Sequence, residues 1–209
     1  MKFLKLSLAF LLLVLLLWGA LVLFVPKDDG DFHVVIDPGH GGEDPGAVYG
    51  EVYEKDINLA IALLVRDNLS GQEGITVSMT REDDSFPSLT DRAEFANKEK
   101  ADLYVSIHAN ALEDESYSGL FTFYHPDKRT SKKPAELIQS AASNATGAID
   151  RGVRTENYAV LRETDMPAVL IETGFMTCPD ELALLVDANY QVKMAKGIAE
   201  GILKVISER

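Results

Sequence analysis

Three apolar runs along the chain stop in reactive residues. Val34-Val35-Ile36 runs into Asp37-Pro38-Gly39-His40-Gly41-Gly42, Leu103-Tyr104-Val105-Ser106-Ile107 into His108-Ala109-Asn110, and Ala168-Val169-Leu170-Ile171 into Glu172-Thr173-Gly174-Phe175. Short β-branched runs bounded by Gly or Pro read as buried strands. Pro38 stops the first, because it lacks a ladder donor and its φ is fixed. Alternation in Ile75-Thr76-Val77-Ser78-Met79 predicts a further strand. Residues 119–124 read as an aromatic strand running antiparallel to the rest, and 158–161 as a short strand. Residues 43–53 read as a loop, and Arg151-Gly152-Val153-Arg154 as a basic turn.

Between these runs the period changes to that of a helix. Ile57, Leu59-Ala60-Ile61, Leu63-Leu64-Val65 and Leu69 form one apolar face, opened by Glu54 and ended by Gly71 and Gly74. Glu54 thus falls in or just before the first turn, where the dipole favours a carboxylate. Further helices are expected over 89–97, with Arg92 and Glu94 outward, over 131–149, and over 179–206 with a break near 187–190. Strands alternating with helices predict an α/β fold: one domain with a central, mainly parallel mixed sheet and helices on both faces. Carboxyl ends of parallel strands share one edge, where ligands bind. On that reading His40, His108 and Glu172 meet.

The first 26 residues have a different pattern. Positions 6–25 carry no charge, a length that spans a bilayer core. Lys2 and Lys5 precede the run and Asp28, Asp29 and Asp31 follow it, which puts the N-terminus in the cytoplasm and the domain outside. Trp18-Gly19-Ala20 is a poor cleavage site, so the reading favours an uncleaved membrane anchor over a cleaved signal with a secreted domain. The expected organisation is an anchor over 1–26, a tether over 27–32 and a catalytic domain over 33–209, in a bacterial, membrane-anchored protein.

Composition narrows the chemistry. The 209 residues are 46% apolar and 25% charged, ordinary for a globular domain, without repeats. Net charge is −13, and Lys2 and Lys5 are the only charges in the first 26 residues, so the domain is more acidic still. Nucleic acid is excluded as a partner, because its binding needs clustered Lys and Arg. A single cysteine, Cys178, allows no internal disulfide and reads as incidental. His33 and His125 read as surface or edge residues.

Two histidines and a carboxylate are a common catalytic zinc set. His40 and His108 supply the imidazoles, while Glu54 and Glu172 both qualify as the carboxylate, one to ligate and the other to act on water. Spacing leaves that choice open. Asp37-Pro38-Gly39-His40-Gly41-Gly42, Glu54-Lys55-Asp56, Met79-Thr80-Arg81, Ser106-Ile107-His108-Ala109-Asn110, Arg151-Gly152-Val153, Val160-Leu161-Arg162 and Pro167 through Phe175 together resemble the zinc-dependent N-acetylmuramoyl-L-alanine amidases, specifically the amidase type 3 catalytic domain. The resemblance implies one zinc ion per chain on His40, Glu54 and His108, with Glu172 as catalytic base. It also implies hydrolysis of the amide between N-acetylmuramic acid and L-alanine in peptidoglycan. Asn110, Arg162 and Arg81 are candidate substrate contacts. Thr177-Cys178 stands where family members often carry Asn. The stretch 112–119 is too short for the inhibitory helix of some relatives, so an open site is expected, in a monomer. The alternative readings are a catalytically inactive or regulatory wall-binding protein on the same fold, and a zinc peptidase of different substrate.

Overall fold

The computed structural model describes residues 31–209. The expected anchor, and the tether up to residue 30, lie outside them. Among the described residues no helix is long and apolar enough to cross a membrane.

Six strands make the main sheet: β1 (Phe32–Pro38), β4 (Ile75–Met79), β5 (Leu103–Asn110), β6 (Leu120–Tyr124), β7 (Asp150–Thr155) and β8 (Ala168–Phe175), in the order β4-β1-β5-β8-β6-β7. The first four in that order are mutually parallel, and β6 pairs antiparallel with β8. The 43–53 stretch is not all loop, since β2 (Val48–Tyr49) and β3 (Val52–Tyr53) form a two-residue ribbon. The helices are α1 (Glu54–Leu69), α2 (Leu89–Lys98), α3 (Lys132–Thr146), α4 (Ala159–Arg162), α5 (Pro179–Leu185) and α6 (Ala188–Ser207).

Strand alternation divides the core. Val34, Ile36, Leu103, Val105, Ile107, Val169 and Ile171 pack with apolar residues of α1, α3 and α6. Val35, Tyr104, Ala168 and Leu170 pack on the opposite face with Ala96 of α2 and Val160 and Leu161 of α4. Each fully buried aliphatic side chain contributes about 1.5–3 kcal/mol, so both faces are needed. The expected break in the terminal segment is real. α5 ends at Leu185, and Asp187 caps α6 by accepting the Tyr190 N–H at 2.9 Å.

Four further expectations change. Arg151-Gly152-Val153-Arg154 is strand rather than turn, because it pairs parallel with β6 at the sheet edge, where charged residues are tolerated. The 158–161 stretch is not a strand but the single turn α4, closed by the Tyr158 carbonyl, which accepts from the N–H groups of Leu161 and Arg162. α3 stops at Thr146, since Gly147 takes the left-handed C-cap conformation (φ 75°). Arg92 points inward, not outward, and only 2% of it is exposed.

Arg92 is inward because its partners are. Its guanidinium donates to Asp37 Oδ1 (2.7 Å) and to the carbonyls of Pro38 (2.7 Å), His40 (2.7 Å) and Pro87 (3.0 Å). Asp37 also accepts from the hydroxyls of Ser106 (2.6 Å) and Thr80. Burial works to raise the Asp37 pKa, but Arg92 and the hydroxyls outweigh it and hold the carboxyl below its usual range. A depressed folded pKa stabilises above the unfolded value, about 4, and that contribution is lost as pH falls through the folded value. Asp37→Asn leaves Arg92 buried without its counter-ion and should cost about 3–5 kcal/mol at pH 7. Urea unfolding at pH 7 and pH 3 checks this: the gap between wild type and variant should narrow at the lower pH. An equal gap at both would remove the pair as its source.

Candidate active site

Register brings the three reactive strand ends together. His108 pairs with Glu172 across β5 and β8, and β1 pairs with β5 up to Pro38–Ile107, which puts Gly39 and His40 beyond the same edge. Glu54 arrives from the start of α1. Among the described residues His40 is one of two non-glycine residues with positive φ (60°), a conformation costing on the order of 1–3 kcal/mol. The hydrogen bond from Arg92 to its carbonyl helps to hold it there.

Glu54 Oε1 lies 3.2 Å from His40 Nε2 and 2.9 Å from His108 Nδ1. One ligand atom from each residue falls within 4.8 Å of the others. The remaining contacts orient this set. His40 Nδ1 bonds Asp44 Oδ2 at 2.8 Å, the carboxylate–histidine arrangement found behind metal ligands. Glu54 Oε2 accepts from the Ala47 N–H (2.9 Å), and Oε1 accepts from Asn58 Nδ2 (3.1 Å). The Thr173 hydroxyl donates to the His108 carbonyl at 2.8 Å. Burial alone would raise Glu54, but the two histidines overcome it and hold the carboxyl far below its usual range. Burial would likewise lower His40, yet Glu54 and Asp44 push it up to about 9. Two imidazoles and a carboxylate converging this closely form a donor set that fits a divalent metal such as zinc.

Glu172 faces this set from β8. It is buried, and its Oε2 has no hydrogen-bond partner. Burial, aided by the Glu54 charge and opposed by the histidines, raises it to about 7. A buried carboxyl with an open oxygen and a pKa near neutrality suits proton transfer. These groups line a cavity of about 490 Å³, whose apolar wall includes Phe86, Leu89, Tyr158 and Val160. No helix occupies 111–119.

The other expected contacts fare differently. Asn110 lines the cavity, and its Oδ1 accepts the Ala111 N–H at 2.8 Å. Arg81 does not present a charge to a ligand. It is 4% exposed and donates to the carbonyls of Pro38, Gly39, Lys55 and Asp83 at 2.8–3.0 Å. Its role is to brace the loop before His40. Arg162 is engaged with Asn157 and Glu163 and does not line the cavity. His125 is buried rather than on the surface, and its ring bonds Asn157 at 3.1 Å. Asp44 and Asn58 were missed as supporting residues. Their signal was spacing: Asp44 lies four residues after His40, and Asn58 lies four after Glu54 on one helix face.

Residues 34–204 match the family model described as N-acetylmuramoyl-L-alanine amidase. The chain belongs to the N-acetylmuramoyl-L-alanine amidase family. It hydrolyses the amide between N-acetylmuramic acid and L-alanine in peptidoglycan. A similar protein is the germination-specific N-acetylmuramoyl-L-alanine amidase of Bacillus subtilis, 35% identical over 84% of this chain and 80% of that one. Among solved structures, an N-acetylmuramoyl-L-alanine amidase from Clostridium difficile 630 is 40% identical with a TM-score of 0.84, covering 87% of this chain and 100% of its own. The CwlD amidase from Clostridioides difficile, solved in complex with the GerS lipoprotein, is 37% identical with a TM-score of 0.79, covering 86% of this chain and 100% of its own.

Within this amidase the site depends on a close approach at Gly39, where a Cβ would overlap the His108 imidazole. Backbone strain is not the issue, because Gly39 is not among the positive-φ residues. If the site takes a divalent metal, Gly39→Ala should leave circular dichroism unchanged and weaken metal affinity about tenfold or more, the range seen when the groups that orient metal ligands are altered. Competition against a chromophoric chelator measures this, and wild-type affinity would show that His108 is not held by that contact.

Proposed function

We propose that the amidase is zinc-dependent, with His40, Glu54 and His108 as metal ligands and Glu172 as general base and then general acid. The convergence of those three ligand atoms within 4.8 Å, facing a buried Glu172 with an unpartnered oxygen, carries the reading. When bound, zinc supplies Lewis acidity, lowering the pKa of water and polarising a carbonyl.

The protein's own groups do the rest. The cavity takes the lactyl–alanine amide, and its apolar wall excludes water that would compete for the site's dipoles. Glu172 accepts the proton of the attacking water. As the tetrahedral carbon collapses, the same carboxyl hands that proton to the L-alanine nitrogen, which leaves as an amine. Asp44 and Asn58 keep His40 and Glu54 in place throughout. Asn110, at the rim, is available to the substrate through its amide nitrogen, because its Oδ1 is committed to the Ala111 N–H.

The reading extends to location. The charge-free run at 6–25, basic residues before it and aspartates after it support a domain tethered outside the cytoplasmic membrane, facing the wall. The acidic domain needs this tether, since its charge would not draw it to an anionic polymer.

Digestion of purified peptidoglycan by the whole protein tests the chemistry. Peptides beginning in L-alanine should appear with zinc and vanish with chelator. Glu172→Gln should lower kcat by about 10²–10⁴-fold, the usual worth of a positioned acid–base group, while binding one zinc per chain. Loss of zinc in that variant would make Glu172 a ligand instead, and wild-type turnover would remove it from catalysis.

A further inference from the structure

A row of residues runs across the sheet from the catalytic centre to its edge. His108 pairs with Glu172, Glu172 with Phe121 on β6, and Phe123, two residues further on, with Arg154 on β7. Residues paired across strands share a face, as do residues two apart. Glu172, Phe121, Phe123 and Arg154 therefore all stand on the side of the sheet that carries the cavity. The wall of the cavity reaches the same row, because Tyr158 packs edge-on against Phe123 with ring centroids 5.7 Å apart.

The Arg154 guanidinium lies over the Phe121 ring, 4.1 Å from its centroid. Phe121 sits directly opposite Glu172, and neighbouring strands are about 4.8 Å apart. The cation therefore leans back from the edge strand over the ring that faces the general base across the β6–β8 pair. Stacking occupies only the face of a guanidinium and leaves its N–H donors free in the plane, the geometry that takes a carboxylate with two hydrogen bonds. Arg154 is exposed, and among the described residues no carboxylate pairs with it, although the chain as a whole carries a net charge of −13. The other arginines near this end are engaged: Arg151 donates to the Ser118 carbonyl at 2.7 Å, and Arg162 pairs with Glu163 at 2.8 Å.

The leaving group of the amidase is a peptide whose first residue is L-alanine. Its new amine forms at Glu172, and a carboxylate carried by its second residue would lie up to about 7 Å further on. We propose that Arg154, stacked on Phe121, is the anchor for a free carboxylate on the second residue of that peptide, and so sets a preference for the acid over its amidated form. This rests on Glu172 marking the catalytic centre.

Two soluble muramyl-peptides test it, identical and blocked at the C-terminus, with the second-residue carboxyl free in one and a carboxamide in the other. Wild type should favour the acid by about tenfold in kcat/KM, as one charge-assisted hydrogen bond permits. Arg154→Gln should abolish that preference through a higher KM for the acid alone, with kcat and the amide substrate unchanged. Arg154→Lys, which keeps the charge, should recover part of it. Calorimetric binding of the two product peptides should show the same difference without turnover. Arg154→Gln slowing both substrates equally, or leaving the preference intact, would overturn the assignment. Glu172→Gln run alongside separates the two readings: turnover there would overturn the catalytic centre itself, whereas silence there with no effect of Arg154 would overturn only the anchor.

Discussion

The buried pair of Asp37 and Arg92 is the contact on which the site depends. A guanidinium removed from water must be answered on most of its donors, or it costs several kcal/mol. Here the answer comes from one carboxylate and three carbonyls, and two of those carbonyls belong to Pro38 and His40. Satisfying Arg92 therefore dictates the path of the chain as it leaves β1. Arg81 adds bonds to Pro38 and Gly39 from the other direction, and Lys55 reaches the Gly42 carbonyl at 2.8 Å. A loop rich in glycine, which would otherwise be the most mobile part of the site, is held by three cations from three separate elements. His40 can then keep a backbone conformation that most side chains avoid.

This explains which parts were legible in the sequence. Strand ends were legible because a buried parallel strand is a continuous apolar run, and its last residue stands out when it is a His or a Glu. Periodicity located α1 and so placed Glu54 at a helix start. Neither could separate the tasks of Glu54 and Glu172, since both are acids at the ends of apolar elements. The geometry sets them apart in a way that supports the proposed division: Glu54 touches both histidines, while Glu172 keeps an oxygen free. Arg92 was misread because charged residues on a short amphipathic helix are usually solvated, and three of its four partners lie 52–55 residues away in sequence. The edge strand β7 was misread because Arg-Gly-Val-Arg looks like a turn. Only pairing with β6 reveals that it is extended.

The arrangement of charge supports the metal-site reading from a different direction. Glu54 and Asp44 bring two negative charges to a half-buried pocket, with the His40 imidazole between them and the His108 imidazole against Glu54. With the imidazoles neutral, that is an uncompensated pair of carboxylates. The protein alone can relieve it by protonating His40, which is why that ring is held up to about 9. A divalent cation relieves it equally well, and metal binding then releases the proton. Glu172 is different. Its burial resists a third negative charge, and the neighbouring Glu54 adds to that resistance. A group poised between its two protonation states, in a site whose two acids a divalent cation would balance, can gain and lose a proton without upsetting its neighbours. The role proposed for Glu172, taking a proton from water and returning it to an amine, needs that freedom, and its structural cost is one buried oxygen left without a partner.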